Sequence, residues 1–125
     1  MQVEYTRSIS PPAPFLPVQV ADPARRNIQE SLSAKLDTAA DITALPLDMV
    51  QKLGLTQIYS LEVAGFDQLA PILIPVYEVI LEIAHIRVRL GVLPHNETYA
   101  LLGRDVVNHL RLLLDGPALR LEVYK

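Results

Sequence analysis

Ala34-Lys35-Leu36-Asp37-Thr38-Ala39-Ala40-Asp41-Ile42-Thr43-Ala44-Leu45-Pro46 is the stretch whose reading decides the fold. Its middle is polar and made of small residues, and its flanks are apolar, so it reads as a loop between buried segments. A lone aspartate in such a loop is usually a turn residue that caps the backbone after it. A second stretch gives Asp37 more weight: Ala100-Leu101-Leu102-Gly103-Arg104-Asp105-Val106-Val107-Asn108-His109-Leu110, an apolar run followed by a Gly-Arg-Asp triplet.

Outward from these two stretches the chain reads as short strands. Residues 15–20 carry Phe15, Leu16, Val18 and Val20 as one strand, residues 21–26 form a polar turn, and residues 28–36 return. Residues 47–53 place Leu47, Val50 and Leu53 three apart and stop at Gly54, which predicts a short amphipathic helix. Residues 57–63 alternate, turn at 64–67, and return over 69–76. Pro71 and Pro75 lack ladder donors, so part of that return arm belongs at an edge. Residues 77–83 and 86–92 predict a hairpin around Ala84-His85, with Glu78 and Glu82 facing Arg87 and Arg89. Residues 99–102 predict a strand, residues 105–112 a helix with Asp105 as its N-cap, and residues 119–124 a last strand. Turn signals about every ten residues point to an all-β, barrel-like domain with one or two short helices. Residues 1–14, with Pro11, Pro12 and Pro14, predict an extended N-terminal arm ahead of a single domain over residues 15–125.

Composition limits the function. The chain has 125 residues, 50% hydrophobic and 20% charged, with a formal net charge of -3. A chain of this length supports one real core. With no Cys, thiolate metal sites, Cys nucleophiles and disulfides are excluded. Dispersed Lys and Arg on a mildly acidic chain argue against nucleic acid or a polybasic membrane patch as a partner. Residues 1–10 lack the basic and apolar regions of a signal peptide, and the apolar runs are broken by Glu78, Glu82, His85, Arg87 and Arg89, so a cytoplasmic location is expected. His85, His95 and His109 show no metal-ligand spacing, and no metal or cofactor is expected. Asn96-Glu97-Thr98 matches a glycosylation sequon, which has no use in the cytoplasm. Leu110, Leu112, Leu113 and Leu114 are assigned to core or dimer packing.

The two motifs, in this order and with hairpins between them, resemble the signatures of the retroviral-type (retropepsin-like) aspartic proteases: an apolar pair before Asp-Thr-Gly-Ala-Asp, then two apolar residues before Gly-Arg-Asp or Gly-Arg-Asn. The resemblance covers about residues 14–123 and is nearest to the short bacterial members. It implies a closed retropepsin-like barrel, a homodimer, and endopeptidase activity on a peptide or protein substrate. Metal-free peptide hydrolysis needs one carboxylate to take a proton from water and one carboxylic acid to polarise the scissile carbonyl. Two such groups about 3 Å apart share a proton and titrate as a pair. The chain holds one Asp-Thr motif, so the second aspartate must come from another copy on a two-fold axis.

On this resemblance Asp37 is catalytic. Thr38, Ala39, Asp41, Gly65 and Phe66 are substrate-binding positions. Arg104 supports the site by meeting Asp41, and Thr38 also bonds across the axis. The sequence departs from the family at Ala39, where Gly is the rule, and at the flap, where Gly65 is the only glycine among Ala64, Phe66 and Asp67. Those departures leave two rivals to the enzyme: a peptide-holding module that has lost turnover, and an assembly subunit that uses its arm and sheet edges.

Overall fold

The computed structural model describes residues 1–64 and 70–125. β2 (Phe15–Asp22) and β3 (Arg25–Leu36) form an antiparallel hairpin, β4 (Ala44–Pro46) follows the Asp37 loop, and α1 (Leu47–Leu53) ends at Gly54. β5 (Gln57–Val63), β6 (Ile72–Ile83) and β7 (Ile86–His95) form an antiparallel meander, then come β8 (Ala100–Leu102) and α2 (Arg104–Val107). β1 (Gln2–Glu4), β9 (Arg111–Asp115) and β10 (Arg120–Tyr124) make a separate sheet in the order β1-β10-β9.

The larger sheet runs β2-β3-β8-β4-β7-β6-β5, and β2 also pairs with β6. This second pairing folds the sheet over a single core. The closed barrel expected from the sequence is not formed: β4 and β8 meet at one residue pair, Ala44 and Leu101, and β5 extends past the fold-back with β6 as its only paired strand among the described residues. Strands of three residues are too short to carry a continuous ladder round that side.

Period-2 patterning explains the core. Leu16, Val18 and Val20 of β2 join Val79, Leu81 and Ile83 of β6 in one core cluster, and all six are at most 2% exposed. Ile80, on the opposite face of β6, is buried as well, in the half of the strand that pairs with both β2 and β7. The half of β6 that contains Pro75 pairs with β5 alone, so the missing N–H breaks no second ladder. Across the β6–β7 hairpin, Arg87 meets Glu82 at 3.5 Å and Arg89 meets Glu78 at 2.8 Å.

The helix α1 buries Val50 and Leu53, and Gly54 closes it with φ 61°, a left-handed cap that glycine takes without steric cost. Arg25 spans the region: its Nε donates to Asp22 Oδ2 at 3.0 Å and its Nη2 to the carbonyl of Leu53 at 3.0 Å, which fixes the β2–β3 turn to the C-terminal end of α1.

A further expectation is corrected. The helix predicted over residues 105–112 is one turn, Arg104–Val107, with Gly103 rather than Asp105 at its N-cap. The leucines after it continue as β9, paired antiparallel with β10 from Arg111↔Tyr124 to Asp115↔Arg120. A short apolar run carries no periodicity that separates helix from strand, and the Asp115-Gly116-Pro117-Ala118 turn makes the hairpin. In the arm, Gln2–Glu4 pairs with β10 of the same chain.

Candidate active site

β3 brings Asp37 to the surface. Its last residues run parallel to β8 in the register Lys35↔Leu101 and Leu36↔Leu102, and the ladder ends with Asp37 N–H donating to the Leu102 carbonyl at 3.0 Å. The chain then turns: Ala40 N–H donates to the Asp37 carbonyl at 3.1 Å, and Ala39 N–H donates to the Asp37 carboxylate at 3.1 Å. The side chain is thereby set by its own loop as an Asx-type turn. Asp37 is half-buried, while Thr38 and Ala39 are exposed. Ala39 has no positive φ, so alanine fits this backbone without strain.

The Gly-Arg-Asp triplet grips this loop from behind. Arg104 N–H donates to the Ala40 carbonyl at 2.9 Å, its Nη1 donates to the Thr38 carbonyl at 2.7 Å, and its Nη2 donates to Asp41 Oδ1. The Arg104–Asp41 pair is open to solvent in the single chain, with Asp41 80% and Arg104 45% exposed at the side chain. Gly103 packs so closely that a Cβ there would lie 2.8 Å from the Ile42 carbonyl carbon and 3.0 Å from Thr43 N. Any side chain at position 103 would push the two segments apart.

Sequence reasoning missed Thr43. It is fully buried, its hydroxyl donates to Asp105 Oδ1 at 2.7 Å and accepts from Gly103 N–H at 3.0 Å, and its N–H donates to Asp105 Oδ2 at 3.0 Å. The available signal was a hydroxyl residue set between the apolar Ile42 and Ala44, since a buried polar group needs a partner. The structure therefore brings Asp37, Thr38, Ala39, Asp41 and Arg104 together on one loop and its support. Gly65 and Phe66 lie outside the described residues. His95 lies apart from this loop, its Nε2 2.7 Å from the Tyr99 carbonyl.

Comparison of the sequence with protein-family models and with curated proteins gives no match. Comparison with solved structures does. Simian foamy virus (mac) protease superposes with a TM-score of 0.55 at 20% identity over 74% of this chain and 91% of that one. The fold is retropepsin-like. EIAV protease, solved with an inhibitor, gives a TM-score of 0.53 at 17% identity over 78% of this chain and 86% of that one. The retroviral protease-like domain of Ddi1 from Leishmania major gives 0.56 at 11% identity over 89% and 87%. In the foamy viral protease-reverse transcriptase, which is much longer, the match spans 12% of the chain. At these identities the likeness is one of fold, and no helix among the described residues is long and apolar enough to cross a membrane.

Proposed function

We propose that two copies of this chain form an aspartic endopeptidase, a short relative of the retroviral enzymes of the bacterial type, which acts in the cytoplasm on extended segments of protein substrates. The observation that carries this reading is the setting of Asp37. It is the chain's one Asp-Thr aspartate, held at the end of a buried ladder on an open face, with its carboxylate fixed by the next turn. One carboxylate alone has no partner acid, so the chemistry calls for Asp37 of a second copy.

In the pair, one carboxyl is ionised and the other protonated. The ionised Asp37 takes a proton from water as its oxygen attacks the scissile carbonyl carbon, and the protonated Asp37 hydrogen-bonds the carbonyl oxygen and transfers its proton to it. Collapse of the resulting diol breaks the C–N bond, with a proton passed to the leaving nitrogen, and the roles of the two carboxyls exchange. The substrate lies extended and bonds main chain to main chain along the exposed Thr38, Ala39 and Asp41 loop, as an added strand does.

Ala39 favours one other reading, a cleft that binds peptide without cutting it, because its methyl stands beside the carboxylate. A peptide analogue carrying a hydroxyl in place of the scissile carbonyl separates the two. The enzyme binds one analogue per two chains at mildly acidic pH and loses it in Asp37→Asn. Binding of one analogue per chain, or binding indifferent to Asp37→Asn, contradicts the proposal.

A further inference from the structure

The terminal sheet is completed within one chain on its β1 side. Gln2–Glu4 pairs with β10, Tyr5 N–H donates to the Leu119 carbonyl at 2.8 Å, and Val123 N–H donates to the Met1 carbonyl at 2.7 Å. In the order β1-β10-β9, β9 lies at an edge, and among the described residues no strand pairs with its outer side. That edge carries Leu113 and Leu114, which are 46% and 51% exposed. A leucine-bearing open edge is a template for another strand unless something covers it.

The strand reads Arg111-Leu112-Leu113-Leu114-Asp115. Turned end for end, this sequence is complementary to itself. We propose that β9 of a second copy covers this edge, antiparallel and centred on Leu113, so that Arg111 stands opposite Asp115 of the other copy at both ends of the pairing. This rests on the two-copy reading above and names the surface where the copies join. Two features favour this register. Neither Arg111 nor Asp115 has an ion-pair partner among the described residues; Asp115 Oδ1 accepts only the Ala118 N–H of its own turn, at 3.1 Å. A parallel pairing would set Arg111 beside Arg111 and Asp115 beside Asp115, and a slip of one residue would turn each leucine to the wrong face. A two-fold axis through Leu113 meets the requirement of a closed, isologous dimer.

The absence of native cysteine makes the test clean. Leu113→Cys places two thiols at the axis, at a Cα separation that a disulfide can span, so mild oxidation gives a covalent dimer, while Asn27→Cys at an exposed position near the start of β3 stays monomeric on a denaturing gel. Arg111→Asp sets carboxylate against carboxylate twice and weakens the dimer by about tenfold or more in dissociation constant, equal to about 1.4 kcal/mol. The double variant Arg111→Asp with Asp115→Arg restores it. Both positions are exposed, so the charge variants keep the fold even where the cysteine variant does not. A dimer in sedimentation that neither crosslinks at Leu113 nor responds to charge reversal overturns this interface and leaves the two-copy reading standing. A monomer at every concentration overturns both.

Discussion

Both carboxylate oxygens of Asp105 are taken by one residue, Thr43, 62 positions away in the sequence. The same threonine hydroxyl receives the N–H of Gly103, so a single buried side chain ties the segment after Asp37 to the segment that carries Arg104. The exposed Asp41–Arg104 contact lies in front of this junction, which makes Thr43 the anchor and Arg104 the clamp.

Thr43→Val should therefore destabilise the fold by roughly 1–3 kcal/mol, because it leaves Gly103 N–H and an Asp105 oxygen unpaired without changing side-chain volume much. Thr43→Ser keeps the hydroxyl and should recover most of the loss. Denaturant unfolding of the three proteins decides it, and a valine variant as stable as the parent would show that the network contributes nothing.

Arg104→Ala should behave in the opposite way. Its partner Asp41 is solvent-exposed, so the loss of stability should stay within about 1 kcal/mol. Its side-chain bond from Nη1 to the Thr38 carbonyl holds the Asp37 loop, however, and a displacement there of about 1 Å can cost on the order of a hundredfold in rate. A variant that unfolds easily but cuts at the parent rate would reverse this assignment.

Ala39→Gly should leave the fold intact, since position 39 has no positive φ to relieve. By removing the methyl beside the carboxylate it should raise peptide cleavage by a factor of up to about a hundred. Equal rates in alanine and glycine forms would show that the methyl does not crowd the substrate.

The amount of this that was legible in the sequence differs from residue to residue. The strand at Gln57–Val63 and the helix at Leu47–Leu53 with its Gly54 stop follow local patterns, and the structure keeps them at those bounds. Asp105 reads as an N-cap because an aspartate before an apolar run normally caps its own helix. Here a distant threonine captured the carboxylate, which no local pattern reports. Leu112 reads as the end of that helix until Arg120–Tyr124 is seen to pair with residues 111–115. The one Asp-Thr motif was plain, whereas its anchor depended on two segments meeting across the fold.

Tyr124 gives a pH marker on the terminal sheet. Its hydroxyl donates to the Glu122 carboxylate, and that bond, with smaller contributions from burial and the nearby charge, raises the phenol above its ordinary value near 10. A raised pKa means the contribution to stability is present below the ordinary value and is lost as pH climbs through the raised one. Ultraviolet titration should show one phenol of the parent ionising late, and Glu122→Gln should bring it back toward the ordinary range. Identical titrations would mean that the bond is absent in solution.

The most direct measurement is cleavage of a mixed peptide library by the parent protein and by Asp37→Asn at mildly acidic pH, with products read by mass spectrometry. The account predicts cuts within extended, apolar-containing peptides by the parent and none by the variant, whose folded structure and sedimentation stay unchanged. Cleavage that survives Asp37→Asn, or a parent that binds these peptides and never cuts them even as Ala39→Gly, would contradict it.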